Sequence, residues 1–322
     1  MIDIQKASEK ALNFVLHQKD SRGLWSDFPT RSHGDGDDYP TVYTAVSLLE
    51  SRVDPNVLSQ TAAEIARRQD EGGGWGFNRD LAFHDADTTA LALMLLKNFR
   101  GYEKNIRNAR RFLHAHKNTA DGGYSTHNDP EALAAVYGVP DGGSFSGWCS
   151  SHPDVTATVL QALGRDKSAV NFLVSSQKSE GQWVGYWWIV PSYATAQAIL
   201  ALKGNGNKET LKKGRKWLAE NCRNPQQPLP AAFSLIGIGG CLDYKNEADG
   251  LARYLVDTQF QDGLQSGSWA SYPSMRLPAG DVVDPETDSR MYRSPLTDER
   301  GIFTTATCLR ALKVYARRIG DS

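Results

Sequence analysis

The stretch Gln69-Asp70-Glu71-Gly72-Gly73-Gly74-Trp75 decides the fold, because the chain repeats it. Related words stand at Gln18-Lys19-Asp20-Ser21-Arg22-Gly23-Leu24-Trp25 and at Gln177-Lys178-Ser179-Glu180-Gly181-Gln182-Trp183. Each runs from Gln through a short polar stretch to Gly, one further residue and Trp. A fourth copy, Gln259-Phe260-Gln261-Asp262-Gly263, delays its Trp to Trp269, and Asp121-Gly122-Gly123-Tyr124 is a degenerate fifth. An amphipathic segment precedes each word and a more apolar one follows it. The following segments share Thr-Ala pairs at Thr44-Ala45, Thr89-Ala90, Thr156-Ala157, Thr195-Ala196 and Thr305-Ala306. The weakest unit has Trp217-Leu218 on its first segment and Ala231-Ala232-Phe233-Ser234-Leu235 on its second. A period of this kind predicts stacked supersecondary units. Six helical hairpins, starting near residues 6, 57, 104, 167, 208 and 246, are best closed as an all-α (α/α)6 barrel, or toroid, since closure leaves no end repeat to cap. The apolar second helices form the inner ring, the amphipathic first helices the outer one. Residues 1–322 make a single domain, with no sheet of more than two strands. The repeated words read as staples: Gly turns the chain, Trp packs over the next hairpin and Gln bonds nearby backbone.

Composition narrows the function classes. The chain has 322 residues, 40% hydrophobic and 23% charged, with a formal net charge of −1. That balance gives no electrostatic footprint for nucleic acid or an anionic membrane surface. The charged start, Met1-Ile2-Asp3-Ile4-Gln5-Lys6, has no apolar signal core, and the longest apolar run, around Ala231 to Leu242, is too short to span a bilayer. The four cysteines, Cys149, Cys222, Cys241 and Cys308, are widely separated, which argues against structural zinc and for a reduced cytoplasm.

Aligning the inner helices on their Thr-Ala pairs compares one slot around the ring. Two residues before Thr, the six hairpins carry Val42, Asp87, Asp154, Tyr193, Leu229 and Phe303. Two neighbouring acids interrupt an otherwise apolar or aromatic ring, and Asp85 adds a third carboxylate nearby. Helix capping competes as an explanation for Asp85 and Asp154, but one cap does not account for both acids of an Asp-x-Asp pair. A helix N-terminus lowers a carboxyl pKa, whereas burial and a like-charged neighbour raise it. An acid kept neutral at the rim of an apolar cavity can protonate a carbon–carbon double bond.

At these residues the chain resembles the squalene–hopene cyclase and class II terpene cyclase family. The family's Asp-x-Asp-Asp motif followed by Thr-Ala reads here Asp85-Ala86-Asp87-Thr88-Thr89-Ala90, and the repeated words are its QW motifs. Asp154-Val155-Thr156-Ala157 is similar to a further family word. The resemblance covers most of the chain and corresponds to the acid-bearing one of the two barrels in the larger cyclases. It implies that Asp87 is the proton donor, that Asp85 hydrogen-bonds and polarises it, and that Asp154 supports the pair. It also implies that Phe77, Trp187 and Tyr193 line the cavity and stabilise cations through their ring faces; core packing is the competing explanation for each ring. Three departures matter. Thr88 replaces the third acid, Thr158 stands where squalene–hopene cyclases have a His that arms the donor, and the second barrel is missing. A long polar stretch, from Met275 to Arg300, is expected to be an irregular lid. Its Arg276, Arg290, Arg293 and Arg300 are candidates for a diphosphate, with internal ion pairing as the alternative.

These residues point to a class II terpene cyclase acting on a linear isoprenoid of sesquiterpenoid or diterpenoid size, a prenyl diphosphate first. No protein-bound metal or other cofactor is expected; Mg²⁺ would arrive, if at all, on the substrate diphosphate. A homodimer stays open. A non-catalytic toroid that binds an isoprenoid or a protein, and another α/α-barrel enzyme such as a polysaccharide lyase, are the alternatives. A protein prenyltransferase subunit shares the barrel but needs an Asp/Cys/His zinc site that does not assemble from this sequence.

Overall fold

The computed structural model describes residues 3–30, 34–81, 83–138, 143–204 and 208–320, without the side chains of Arg293 and residues 318–320. Thirteen α-helices and four short strands fall within the described residues. Six helices form the inner ring: α2 (Asp38–Glu50), α4 (Ala86–Leu96), α7 (Pro153–Leu163), α9 (Pro191–Leu202), α11 (Pro228–Ile238) and α13 (Ile302–Gly320). Each packs on the next, and α13 returns to α2, so the ring closes. The outer helices are α1 (Ile4–His17), α3 (Ser59–Arg68), α5 (Glu103–Ala115), α8 (Lys167–Ser175), α10 (Lys208–Asn221) and α12 (Lys245–Thr258). Inner helices such as α4 and α11 are buried on nearly every side, whereas α3 and α5 bury one stripe. That is the expected division between core and surface helices.

The repeated words hold this ring together. Trp25, Trp75, Trp183 and Trp269 are fully buried, and each indole Nε1 donates at 2.7 Å to a carbonyl of its own outer helix, that of Val15, Ile65, Leu173 or Leu255. The backbone N–H groups of Trp25, Trp75, Tyr124 and Trp183 donate to the hydroxyls of Thr41, Thr89, Thr156 and Thr195 at 2.8–3.0 Å, which fixes the inner helix to the turn. Gln69 and Gln177 each bridge to the next outer helix, through the Asn105 and Thr210 carbonyls. Gln259 does the same to Ala7 at 2.9 Å and joins the last hairpin to the first. Gly267 lies against α1 at φ +92°, and a Cβ there would stand 2.4 Å from the Lys10 carbonyl oxygen. The turn therefore needs glycine both for its left-handed backbone and for the close approach.

Two features depart from the sequence reading. Between α5 and α7 the chain inserts a further short helix, α6 (Pro130–Tyr137), capped by Asp129 through the Ala132 N–H. The segment expected to be irregular holds an antiparallel hairpin, β3 (Met275–Pro278) with β4 (Met291–Leu296). A second small hairpin joins β1 (Asp27–Thr30) to β2 (Gly34–Gly36). The lid expectation missed β3 because its backbone groups find partners outside its own hairpin: Arg276 N donates to the Trp187 carbonyl at 2.7 Å and Ile189 N to that of Ser274 at 2.9 Å. A covered segment must pair such groups. The insertion and the hairpin also lock together. Gly147 N donates to the Gly280 carbonyl at 2.8 Å and Trp148 Nε1 to that of Pro278 at 3.1 Å; from the connection between α8 and α9, Tyr186 Oη donates to the Val282 carbonyl at 2.6 Å.

Candidate active site

A cavity of about 320 Å³ lies at the N-terminal ends of α2 and α4. Its wall carries Tyr39 of α2, Asp85, Asp87 and Thr88 at the start of α4, and Trp187 and Trp188 ahead of α9. The insertion supplies Tyr137, Phe145 and Trp148, and the hairpin supplies Met275, Leu277 and Tyr292. An aromatic stack lies beneath: Trp188 stacks on Tyr193 at 4.5 Å and on Phe303 at 4.7 Å, and Phe303 stacks on Tyr43 at 4.0 Å.

Three carboxyls sit at the start of α4 and α7, each in a different state. Asp85 is the N-cap of α4 and accepts from Thr88 N at 2.7 Å and Thr88 Oγ1 at 3.0 Å. Burial raises its pKa to about 6, against the pull of these donors. The capping explanation therefore holds for Asp85, although it also lines the cavity. Asp154 is not a cap; His152 holds that position and Asp154 lies in the first turn of α7. Its Oδ2 accepts from Tyr186 N at 3.0 Å and Trp187 N at 3.4 Å, while Oδ1 is buried without a partner. Burial raises its pKa and the N–H donors lower it. It stands behind the cavity wall, 1% exposed, so the two slot acids are neighbours but only Asp87 reaches the cavity.

Asp87 has the strongest reason to stay neutral. Its Oδ1 is buried without a partner. Burial raises its pKa well above the ordinary value, the charges of Asp154 and Asp85 add to this, and the nearby Thr158 hydroxyl opposes them. Two buried carboxyls that interact titrate as a pair. Backbone donors favour the charge on Asp154, so the proton of the pair belongs on Asp87. The positive end of the α4 dipole works the other way, by ~0.3–1 kcal/mol at an exposed site and up to ~2 when partly buried.

The remaining sequence candidates separate. Phe77 and Trp187 line the cavity, whereas Tyr193 lies beneath Trp188 and is not part of the wall. Thr158 donates to the Asp154 carbonyl at 3.1 Å. The arginines do not converge. Arg276 lines the cavity and donates to the backbone carbonyls of Tyr186, at 2.9 Å, and Gly185. Arg290 is exposed and paired with Asp281 at 3.1 Å and Asp288 at 2.6 Å, the internal ion pairing weighed above. Arg300 is paired with Asp35 and is not a wall residue. The side chain of Arg293 lies outside the described residues. Sequence reasoning placed Val42 in the slot of the first hairpin and so missed Tyr39: Thr41, not Thr44, takes the Trp25 N–H as Thr89 takes that of Trp75, which puts Tyr39 in the slot and on the wall. It also missed Phe83, His127 and Trp148, for which no repeat gives a signal. Among the described residues no group of three or more His, Cys, Asp or Glu could hold a metal, and no helix is long and apolar enough to cross a membrane.

The model of the squalene-hopene cyclase C-terminal domain matches residues 34–227, more than half of the chain. The chain belongs to that family. Within it, the chain is 25% identical over 254 residues to drimenyl diphosphate synthase of Streptomyces showdoensis, covering 68% of this chain and 43% of that protein, so it spans less than half the length of that relative. Among solved structures it is similar to the type II terpene cyclase MstE from Scytonema, with a TM-score of 0.88 and 25% identity over 98% of this chain and 99% of that one. MstE has also been solved with its substrate geranylgeranyl dihydroxybenzoate. The fold is shared with ent-copalyl diphosphate synthase from Streptomyces platensis, at a TM-score of 0.60 and 16% identity, over 87% of this chain and 50% of that one.

Proposed function

We propose that this member of the family is a class II terpene cyclase in which Asp87 protonates the terminal alkene of a linear isoprenoid. The observation that carries the reading is a buried carboxyl with no structural partner for one oxygen, beside two further acids, on the wall of an aromatic cavity. The alkene π pair takes the proton from the Asp87 O–H and leaves a tertiary cation. Neighbouring double bonds attack that cation in turn, and the chain closes into rings. Asp154 and Asp85 keep the proton on Asp87 before reaction, and the developing Asp87 carboxylate is nearest the first cation. Ring faces of Tyr39, Phe77, Trp187 and Trp188 replace water around the charge, each worth ~0.5–2 kcal/mol. A cavity of about 320 Å³ is at the small end of ligand sites, which run from ~300 to ~1,000 Å³. That supports a sesquiterpenoid or diterpenoid chain over squalene.

The head group belongs near Arg276, the cavity-wall arginine on β3. A prenyl diphosphate, with any Mg²⁺ carried on it, is the first reading, in line with the diphosphate synthases among the relatives. The full-length likeness to MstE supports a second, a prenylated dihydroxybenzoate. Incubation of the purified protein with linear prenyl diphosphates, the matching alcohols and geranylgeranyl dihydroxybenzoate, read by mass spectrometry and nuclear magnetic resonance, decides between them. The expected result is a cyclic isomer of one ligand's prenyl chain, absent with Asp87→Asn. Binding without cyclisation of any ligand would favour the non-catalytic toroid.

A further inference from the structure

The cation made at Asp87 has to be discharged. As rings close, positive charge moves along the substrate toward the mouth and away from the carboxyl that gave up the proton. Apart from Asp85 and Asp87, the wall offers one ordinary proton acceptor among its described residues: His127. It stands between the acid-bearing helix and the insertion. Its backbone N–H donates to the Trp148 carbonyl at 3.2 Å, and its ring lies 5.7 Å from Trp148 and 6.3 Å from Phe83, both wall residues. The backbone carbonyl of His84 lies near the imidazole and opposes the effect of burial on it. A neutral imidazole carries one N–H and one lone pair, so one ring nitrogen can take up a proton.

We propose that His127 is the base that ends the reaction, by removing a proton from the carbon next to the final cation. This rests on the cyclase reading above. In the step a C–H bond breaks, its electron pair becomes the new double bond, and the proton passes to the unprotonated imidazole nitrogen. The imidazolium returns that proton to solvent and Asp87 is recharged from solvent, so the net change is isomerisation. Burial is the chief reason the His127 pKa falls to about 3, while burial and two neighbouring acids raise that of Asp87. The two groups are pushed in opposite directions, as an acid and a base working at one pH require. A weak base suffices, because a proton next to a carbocation is strongly acidic.

The test compares wild type with His127→Phe and His127→Gln, each checked for folding by circular dichroism, on whichever prenyl substrate the wild type cyclises. The expected wild-type product carries a new double bond. Both variants should consume substrate within about tenfold of wild type, but with the main alkene reduced at least fivefold in share. Regioisomeric alkenes or water-quenched alcohols should replace it. An unchanged product ratio in either folded variant would overturn the assignment. So would a wild-type product that is itself an alcohol, or complete loss of substrate consumption by both folded variants. Absence of any Asp87-dependent cyclisation by wild type would instead overturn the cyclase reading, so the two failures are distinguishable.

Discussion

The starts of α4 and α13 are held by a like pair of hydrogen bonds, from the N-cap Asp85 in α4 and from Asp298, four residues ahead of α13, and they differ in the slot residue that follows. Asp85 accepts from the N–H and hydroxyl of Thr88 at 2.7 and 3.0 Å, and Asp298 accepts from the N–H and hydroxyl of Thr304 at the same two distances. Both acids are buried, and burial raises their pKa values, to about 6 and about 7. In the slot that faces the centre of the ring, α13 carries Phe303, packed on Tyr43 and Trp188, whereas α4 carries Asp87. A cap explains a buried acid in either place. It does not explain Asp87, which is not the cap of α4 and leaves an oxygen unpaired. The difference between a capping acid and one that caps nothing is thus visible in what each carboxyl accepts.

Substitution at the differing position has the largest expected effect. Asp87→Asn should lower the yield of cyclised product by ~10²–10⁴-fold or more, with a melting temperature equal to or above that of wild type, since a desolvated carboxyl is removed. Substitution at the shared position should do the reverse. Asp298→Ala strands the N–H and hydroxyl of Thr304 and should cost about 1–3 kcal/mol of stability by chemical denaturation, while turnover per folded molecule stays within about twofold. Asp298→Asn also tests the pH response. A carboxyl whose folded pKa lies near 7, against about 3.9 unfolded, contributes stability that is fully present below about pH 4. That contribution is lost as pH rises through 7. Wild type should therefore lose stability between pH 5 and pH 8, and Asp298→Asn should lose less over that range.

A second contrast, between a cavity-wall arginine and a surface one, has a smaller effect. Arg276→Ala should raise KM for an anionic prenyl substrate by about tenfold, roughly 1.4 kcal/mol, and change that of the matching alcohol little. Arg290→Ala, which removes an exposed pair with Asp281 and Asp288, should change neither. Equal effects of the two substitutions on KM would dissolve the distinction.

The six-hairpin ring was legible because its staples recur in sequence. The Trp of each full word bonds its own outer helix, and Thr89, Thr156 and Thr195 of the Thr-Ala pairs each take the backbone N–H of the preceding turn, as at Trp75 with Ile65 and Thr89. The acid slot was legible for the same reason: six aligned helices leave Asp87 and Asp154 as exceptions. The mouth was not. It is assembled from segments that occur once, and the contact of Trp148 with Pro278 joins residues 130 positions apart. The arginines show the same limit, since charge alone did not distinguish Arg276, which borders the cavity, from Arg290, which is consumed by its own neighbours.

The central claim, that Asp87 holds its proton in the resting protein, is open to direct measurement. Infrared difference spectra of wild type minus Asp87→Asn, recorded at neutral pH in light and heavy water, separate a neutral carboxyl from a carboxylate. The account predicts a protonated-carboxyl C=O band in wild type that shifts in heavy water and is missing from the variant. A difference spectrum that shows only the loss of carboxylate bands would mean that Asp87 is ionised at rest, and would contradict it.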